Sequence, residues 1–220
     1  MKIILRQATI HDKSSVHDNS CCDVLIQDGI IQEISSQILE QADAEVTHPD
    51  LHVSNGWVDI FTFIGQPGYE HRETLKSGAA AAQAGGFTDI FMLPNTSPVI
   101  STHAQVSYLT QQSKLLPVNI LPLGSVTAQT EGKALSEMYD MYKAGAVAFS
   151  EGLQTLENTG IMLKALQYLK TIDGTIIQVP GDKTIAPHGL VNEGITSTLM
   201  GLPGKPAIAE EICVARDIEL

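Results

Sequence analysis

From Gly56 onward, short apolar runs alternate with stretches of helical character, and this alternation restricts the fold more than any other feature of the chain. Parallel strands need a crossover between them and are buried on both faces, so apolar strands separated by helices imply βα units around a parallel sheet. Trp57–Phe63 reads as the first such strand. Glu73–Ala84 is rich in alanine and runs into Gly85-Gly86, as the C-terminus of a helix should. Asp89–Leu93 reads as the second strand, followed by a helix that Ser101 is expected to N-cap and that runs to about Ser113. Val118–Leu123 is the third, followed by a helix around Ala134–Lys143. Ala146–Phe149 and Thr175–Val179 read as the fourth and fifth strands, with an amphipathic stretch at Ile161–Leu169 between them. Pro206–Leu220 reads as a last helix. The fold class is therefore α/β, a partial TIM-type βα barrel, because five strands do not close an eight-stranded barrel.

Residues 1–55 have a different texture. Ile3-Ile4-Leu5 and Asp23-Val24-Leu25-Ile26-Gln27 read as strands, and Asp28-Gly29 supplies the turn pair of a tight hairpin into Ile30–Ile34. A further strand is expected near Ala44-Glu45-Val46. The expected division is thus an N-terminal β segment, 1–55, and a set of βα units, 56–220, that ends before barrel closure.

Composition excludes several roles. Among the 220 residues, 13 are basic and 25 acidic, a formal charge of −12. No basic cluster interrupts this acidity, so neither nucleic acid nor an anionic membrane surface is an expected partner. No apolar run approaches a bilayer span, and no signal-peptide pattern opens the chain. Three cysteines, two of them adjacent (Cys21, Cys22) and one distant (Cys213), form neither a disulfide framework nor a zinc spacing. A cytoplasmic setting is expected.

The motifs are more specific. Gly56-Trp57-Val58-Asp59, Pro67-Gly68-Tyr69-Glu70, Ala84-Gly85-Gly86-Phe87-Thr88 and Met92-Leu93-Pro94-Asn95-Thr96 stand in order. Glu193-Gly194, Gly201-Leu202-Pro203-Gly204 and Ala209-Glu210-Glu211 follow. Together they resemble the dihydroorotase branch of the cyclic amidohydrolases, across most of residues 23–220. The resemblance implies a barrel, with residues 1–55 contributing to a small composite β-sandwich, and a place in pyrimidine biosynthesis. Enzymes of that branch are about twice this length, so the chain is expected to be the first half of a longer protein.

The resemblance also implies where catalysis would sit. Hydrolysis of a cyclic amide needs hydroxide at neutral pH, which bound zinc supplies by lowering the pKa of water. The family holds that metal with Asp-x-His-x-His at the end of the first barrel strand. Here the stretch is Asp59-Ile60-Phe61-Thr62-Phe63, and a phenyl ring has no lone pair to donate. Gly65 stands where an arginine would grip the substrate carboxylate. Val179 stands where the fifth strand would offer a ligating histidine. Phe149-Ser150-Glu151-Gly152 replaces a segment that often carries a bridging aspartate, which leaves Glu151 as a weak candidate ligand. Asn95 matches the position whose amide bonds the substrate ring, and the same residue also reads as the start of a well-formed loop. Asp59 is expected to serve structure, through a hydrogen bond to a neighbouring strand end.

The seven histidines avoid the family positions. His48 and His52 flank Pro49 and read as an exposed linker; His11, His17, His71 and His103 read as surface residues. His188 does too, though it lies where it could swing into a barrel mouth. Gly201–Pro206 imitates a phosphate loop but lacks its strand and its GK[ST] ending.

No intact catalytic or metal set is therefore expected, and no cofactor. The leading reading is a catalytically inactive dihydroorotase-like protein with an assembly role, its partner aspartate carbamoyltransferase or a further copy of itself. One alternative is an active hydrolase with an altered zinc site built around Glu151. The other is a small-molecule binding module whose pocket floor is Phe61 and Phe63.

Overall fold

The computed structural model describes residues 1–220 and divides into two compact units, Met1–Gly56 and Trp57–Leu220. The first is a five-stranded mixed sheet. Strands β1 (Lys2–His11), β2 (Cys21–Gln27) and β3 (Ile30–Ser35) pair antiparallel, while β4 (Ala44–Thr47) and β5 (His52–Ser54) both lie parallel to β1. Asp28 and Gly29 form the tight β2–β3 connection with φ of 51° and 80°, the left-handed pair such a hairpin requires. A register shift in β1 between Leu5 and Ala8 turns the Gln7 N–H away from the ladder. Asp23 accepts that N–H at 2.9 Å. Its carboxylate also accepts from Arg6 Nη1 at 2.8 Å and from the Ile38 N–H at 3.1 Å. Asp23 is buried, and burial is the largest single influence on its ionisation, opposing it. The bonds from Gln7, Arg6 and Ile38 together outweigh that penalty and hold its pKa down at about 2.

The second unit carries a four-stranded, all-parallel sheet in the order β6 (Trp57–Thr62), β7 (Phe87–Met92), β8 (Asn119–Gly124), β9 (Ala148–Phe149). Helices α1 (Leu75–Ala84), α2 (His103–Ser113), α3 (Met138–Ala144) and α4 (Thr159–Leu169) accompany it. The alternation of side chains along each strand divides the sheet's apolar residues into two sets. Ile90, Met92, Ile120 and Phe149 join the main core with Leu75, Val106, Leu109, Met141 and Met162 from the helices. Leu93, Leu123 and Ala148 form the heart of a second cluster. The result is an α/β fold with a curled parallel sheet.

Several local expectations need correction. Thr175–Val179 does not form a strand. Ile176 makes one isolated parallel bridge to Phe149, flanked by Phe149 N–H to Thr175 O at 2.9 Å and Ile177 N–H to Phe149 O at 2.8 Å. The third helix starts at Met138, four residues later than expected, because Leu135 bridges Thr127 and the Ser136 hydroxyl bonds back to the β8–α3 loop. The cap of α2 is Thr102 and not Ser101; the Gln105 side-chain oxygen accepts both of their N–H groups, at 3.0 and 2.9 Å. His52 is a strand residue and not part of a linker. Beyond Asp182 the chain adds α5 (Ile195–Met200), the short parallel pair β10 (Val191–Asn192) and β11 (Gly204–Lys205), and α6 (Ile208–Glu219). Of these, only α6 was anticipated.

Candidate functional site

In a βα sheet the functional positions are the C-terminal ends of the strands, and here the end of β6 is apolar. Phe61 and Phe63, two residues apart at the end of β6, both pack on the Leu93–Leu123–Ala148 cluster, together with Phe91 and Ile177. The i, i+2 geometry that would aim two imidazoles at one ion instead aims two phenyl rings at leucines. Asp59 accepts the Phe61 N–H at 2.9 Å, inside its own strand. This corrects the expected bond to a neighbouring strand end. The pairing of β6 with β7 shifts between Asp59 and Thr62, so the carboxylate serves an amide that the irregular ladder leaves free.

Gly65 sits in a turn closed by Tyr69 N–H to Gly65 O at 2.8 Å. A Cβ at Gly65 would lie 2.4 Å from the Tyr69 carbonyl oxygen. The loop is built around the missing side chain, and an arginine does not fit this backbone.

At the end of β9, Glu151 is buried and faces inward. Its two oxygens accept the Thr127 backbone N–H at 2.6 Å and the Thr127 hydroxyl at 2.8 Å. Burial raises its pKa; the bonds from Thr127 oppose the rise without cancelling it. Asn95 reaches the same loop, donating to the Glu151 carbonyl at 3.1 Å and accepting the Leu153 N–H at 2.9 Å. Gly152 lies beneath it with φ of 61°, where a Cβ would fall 1.7 Å from the Asn95 oxygen. The nearby Gln178 accepts the Leu156 N–H and donates to Asp217, and Val179 is 39 % exposed. His71, His103 and His188 are exposed and His17 half-buried.

The structure brings Asn95, Glu151 and Thr127 together, while Phe61 and Phe63 join the apolar cluster. No three His, Cys, Asp or Glu side chains converge in a way that would hold a metal ion. The donor set at the strand ends does not fit zinc: two phenyls, a valine and one carboxylate already engaged by Thr127. Thr127 was missed from sequence, since its role depends on the β8–α3 loop folding back toward β9.

Comparison with known proteins accounts for this architecture. The family model described as "Dihydro-orotase-like" matches residues 52–220. A dihydroorotase of Ruminiclostridium cellulolyticum is 37 % identical over 221 residues, which is 100 % of this chain and 51 % of that protein. The chain belongs to the dihydro-orotase-like family. Another dihydroorotase, from Carboxydothermus hydrogenoformans, is 40 % identical over 199 residues, covering 90 % of this chain and 46 % of its own length. Among solved structures, the L-hydantoinase (dihydropyrimidinase) of Arthrobacter aurescens superposes with a TM-score of 0.73 at 20 % identity, over 99 % of this chain and 49 % of that one. A dihydroorotase structure superposes with 0.61 at 12 % identity, over 99 % and 62 %. These structural likenesses speak for the fold. The chain spans about half the length of the curated dihydro-orotase-like relatives it matches. No helix is long and apolar enough to cross a membrane.

Proposed function

We propose that this chain is a dihydroorotase-like protein of the pyrimidine-biosynthesis type that has given up catalysis and is retained for assembly. Its partner, on this reading, is aspartate carbamoyltransferase or a further copy of itself, in the cytoplasm. The curled sheet is the first part of a (β/α)8 barrel, and residues 1–55 contribute to a composite sandwich beside it. Residues 1–55 and 56–220 are the corresponding domain portions.

The observation that carries the proposal is the packing of Phe61 and Phe63 into the Leu93–Leu123 cluster. Replacement of two imidazoles by phenyls removes metal affinity, and their apolar packing makes the replacement part of the core. Three further features agree with it. Gly65 occupies a turn with no room for a side chain; Glu151 is held by Thr127; Asn95 bonds to backbone that follows β9. Phe61, Phe63, Gly65, Glu151 and Asn95 thus each perform a structural task here.

The test is hydrolysis of dihydroorotate by the purified protein with zinc added. The expected result is no turnover above the uncatalysed rate. Turnover near the lower end of ordinary enzyme rates, about 1 s⁻¹, would refute the proposal. Assembly is read separately, by sedimentation of the protein alone and mixed with aspartate carbamoyltransferase; a persistent monomer in both would remove the assembly role.

A further inference from the structure

The N-terminal sheet holds a histidine pair that none of the preceding chemistry uses. Strands β1 and β5 are parallel, with Thr9 opposite His52 and His11 opposite Ser54. His11 shares a face with Thr9, two residues earlier, and His52 shares that face through the pairing. The two imidazoles are therefore diagonal neighbours. His11 Nε2 lies 2.8 Å from His52 Nδ1. The ring centroids are 5.0 Å apart, with planes inclined by 23°. Nitrogens so close with centroids so far apart mean that the rings meet nitrogen to nitrogen. The other nitrogen of His52, Nε2, bonds Asp50 Oδ1 at 2.8 Å.

We propose that His11 Nε2 and His52 Nδ1 form a two-point site for a divalent transition-metal ion of the Zn²⁺, Ni²⁺ or Cu²⁺ class, with water filling the remaining positions. Imidazole suits these ions. Metal–nitrogen bonds of about 2.0–2.1 Å in tetrahedral geometry set two ligand nitrogens about 3.3 Å apart. To aim both lone pairs at one ion the pair has to open by about 0.5 Å and each ring has to tilt by roughly 35° from the present nitrogen-to-nitrogen line, a motion that the exposure of both side chains permits. Asp50 supplies the outer carboxylate. By accepting the Nε2 proton of His52 it leaves Nδ1 with its lone pair toward His11, the arrangement that orients ligating histidines in metalloproteins. On binding, neutral His11 releases its Nε2 proton to solvent and takes one at Nδ1, so the exchange of tautomers is balanced. The formal charge of −12 favours accumulation of cations at the surface. The ion would clip β5 to β1 and stabilise the N-terminal sheet. The residues are those of Met1–Gly56 alone and share nothing with Phe61, Phe63 or Glu151.

The test is calorimetric titration of the full, reduced chain with NiCl₂ near neutral pH, with thermal unfolding followed in parallel. The expected result is about one equivalent bound, with affinity at least tenfold lower in both His11→Ala and His52→Ala. Asp50→Asn weakens binding by roughly tenfold through the outer shell, and His103→Ala leaves it unchanged. Nickel raises the unfolding temperature of the native protein but not that of His11→Ala. Circular dichroism confirms that each variant is folded before titration. Wild-type affinity in His11→Ala and His52→Ala would place the ion elsewhere and overturn the proposal, as would the lack of any binding by the native chain.

Discussion

The Asn95 carboxamide spans the turn after β9, accepting the Leu153 N–H at 2.9 Å and donating to the Glu151 carbonyl at 3.1 Å. One side chain on the β7–α2 loop thereby fixes the backbone on either side of Gly152. Asn95→Ala leaves a donor and an acceptor unpaired, an expected loss of roughly 1–3 kcal/mol in chemical denaturation. Gly152→Ala is expected to cost at least as much, since its Cβ would meet the Asn95 oxygen at 1.7 Å and its φ of 61° disfavours alanine. A Gly152→Ala protein with native stability would mean that the Asn95 contact is not maintained in solution.

Glu151 makes stability depend on pH in a defined direction. Burial holds its folded pKa above the ordinary carboxyl value of 4.5. The folded state therefore holds the proton more tightly than the unfolded chain. That contribution is complete below the unfolded pKa and is lost as pH rises through the folded one. Glu151→Gln removes the ionisation while keeping the shape, and Thr127 can bond an amide. Unfolding free energies measured from about pH 4.5 upward should show the glutamine variant gaining on the native protein until the pH passes the folded pKa, and no further above it. A constant difference across that range would contradict the raised pKa.

Asp23 has the opposite sign. Its pKa of about 2 lies below the ordinary value of 3.8, so its contribution is present above about 3.8 and fades as pH falls toward 2. Asp23→Asn should cost roughly 1.5–3 kcal/mol near neutrality, through the weakened bonds from Gln7, Arg6 and Ile38. The gap between variant and native protein should narrow in acid. Urea midpoints at neutral pH and at the lowest pH where the protein stays folded provide the comparison.

Reversing the losses at the strand ends should fail. Gly65→Arg places a Cβ 2.4 Å from the Tyr69 carbonyl, so destabilisation of several kcal/mol is expected without any gain in dihydroorotate binding. Calorimetric titration with dihydroorotate and a denaturation curve test the two halves of this statement. Binding restored by Gly65→Arg would show that the loop rebuilds readily and that clamp loss alone had disabled recognition.

Much of the architecture was legible because it rests on local rules. The Asp28-Gly29 hairpin follows from the turn chemistry of those two residues. The stop of α1 at Gly85 and the four parallel strands follow from glycine and from apolar runs. The sequence failed where structure depends on distant partners. Thr175–Val179 has the composition of a strand, yet only Ile176 finds a bridge, to Phe149. Val191–Asn192 and Gly204–Lys205 are too short to signal a pair. At the strand ends, absent imidazoles could be read directly from Phe61 and Phe63. That Glu151 serves Thr127, and that His52 belongs to a strand beside His11, required the tertiary fold.

The Phe61–Phe63 pair gives the last prediction. If these rings are core residues, Phe61→Ala and Phe63→Ala should each destabilise the protein by roughly 2–4 kcal/mol, slightly less than full burial would give because both are partly exposed. If they only occupy a vacated ligand position, the losses should be small. Metal content separates the same alternatives from another side. In a protein carrying both His11→Ala and His52→Ala, which removes the proposed surface site, zinc after incubation should stay below roughly a tenth of an equivalent, since no folded set of donors remains to hold it. Stoichiometric zinc in that variant, joined to a small Phe61→Ala effect, would mean that ligands other than those at the ends of β6 and β9 assemble a metal centre. Catalysis would then have to be sought there.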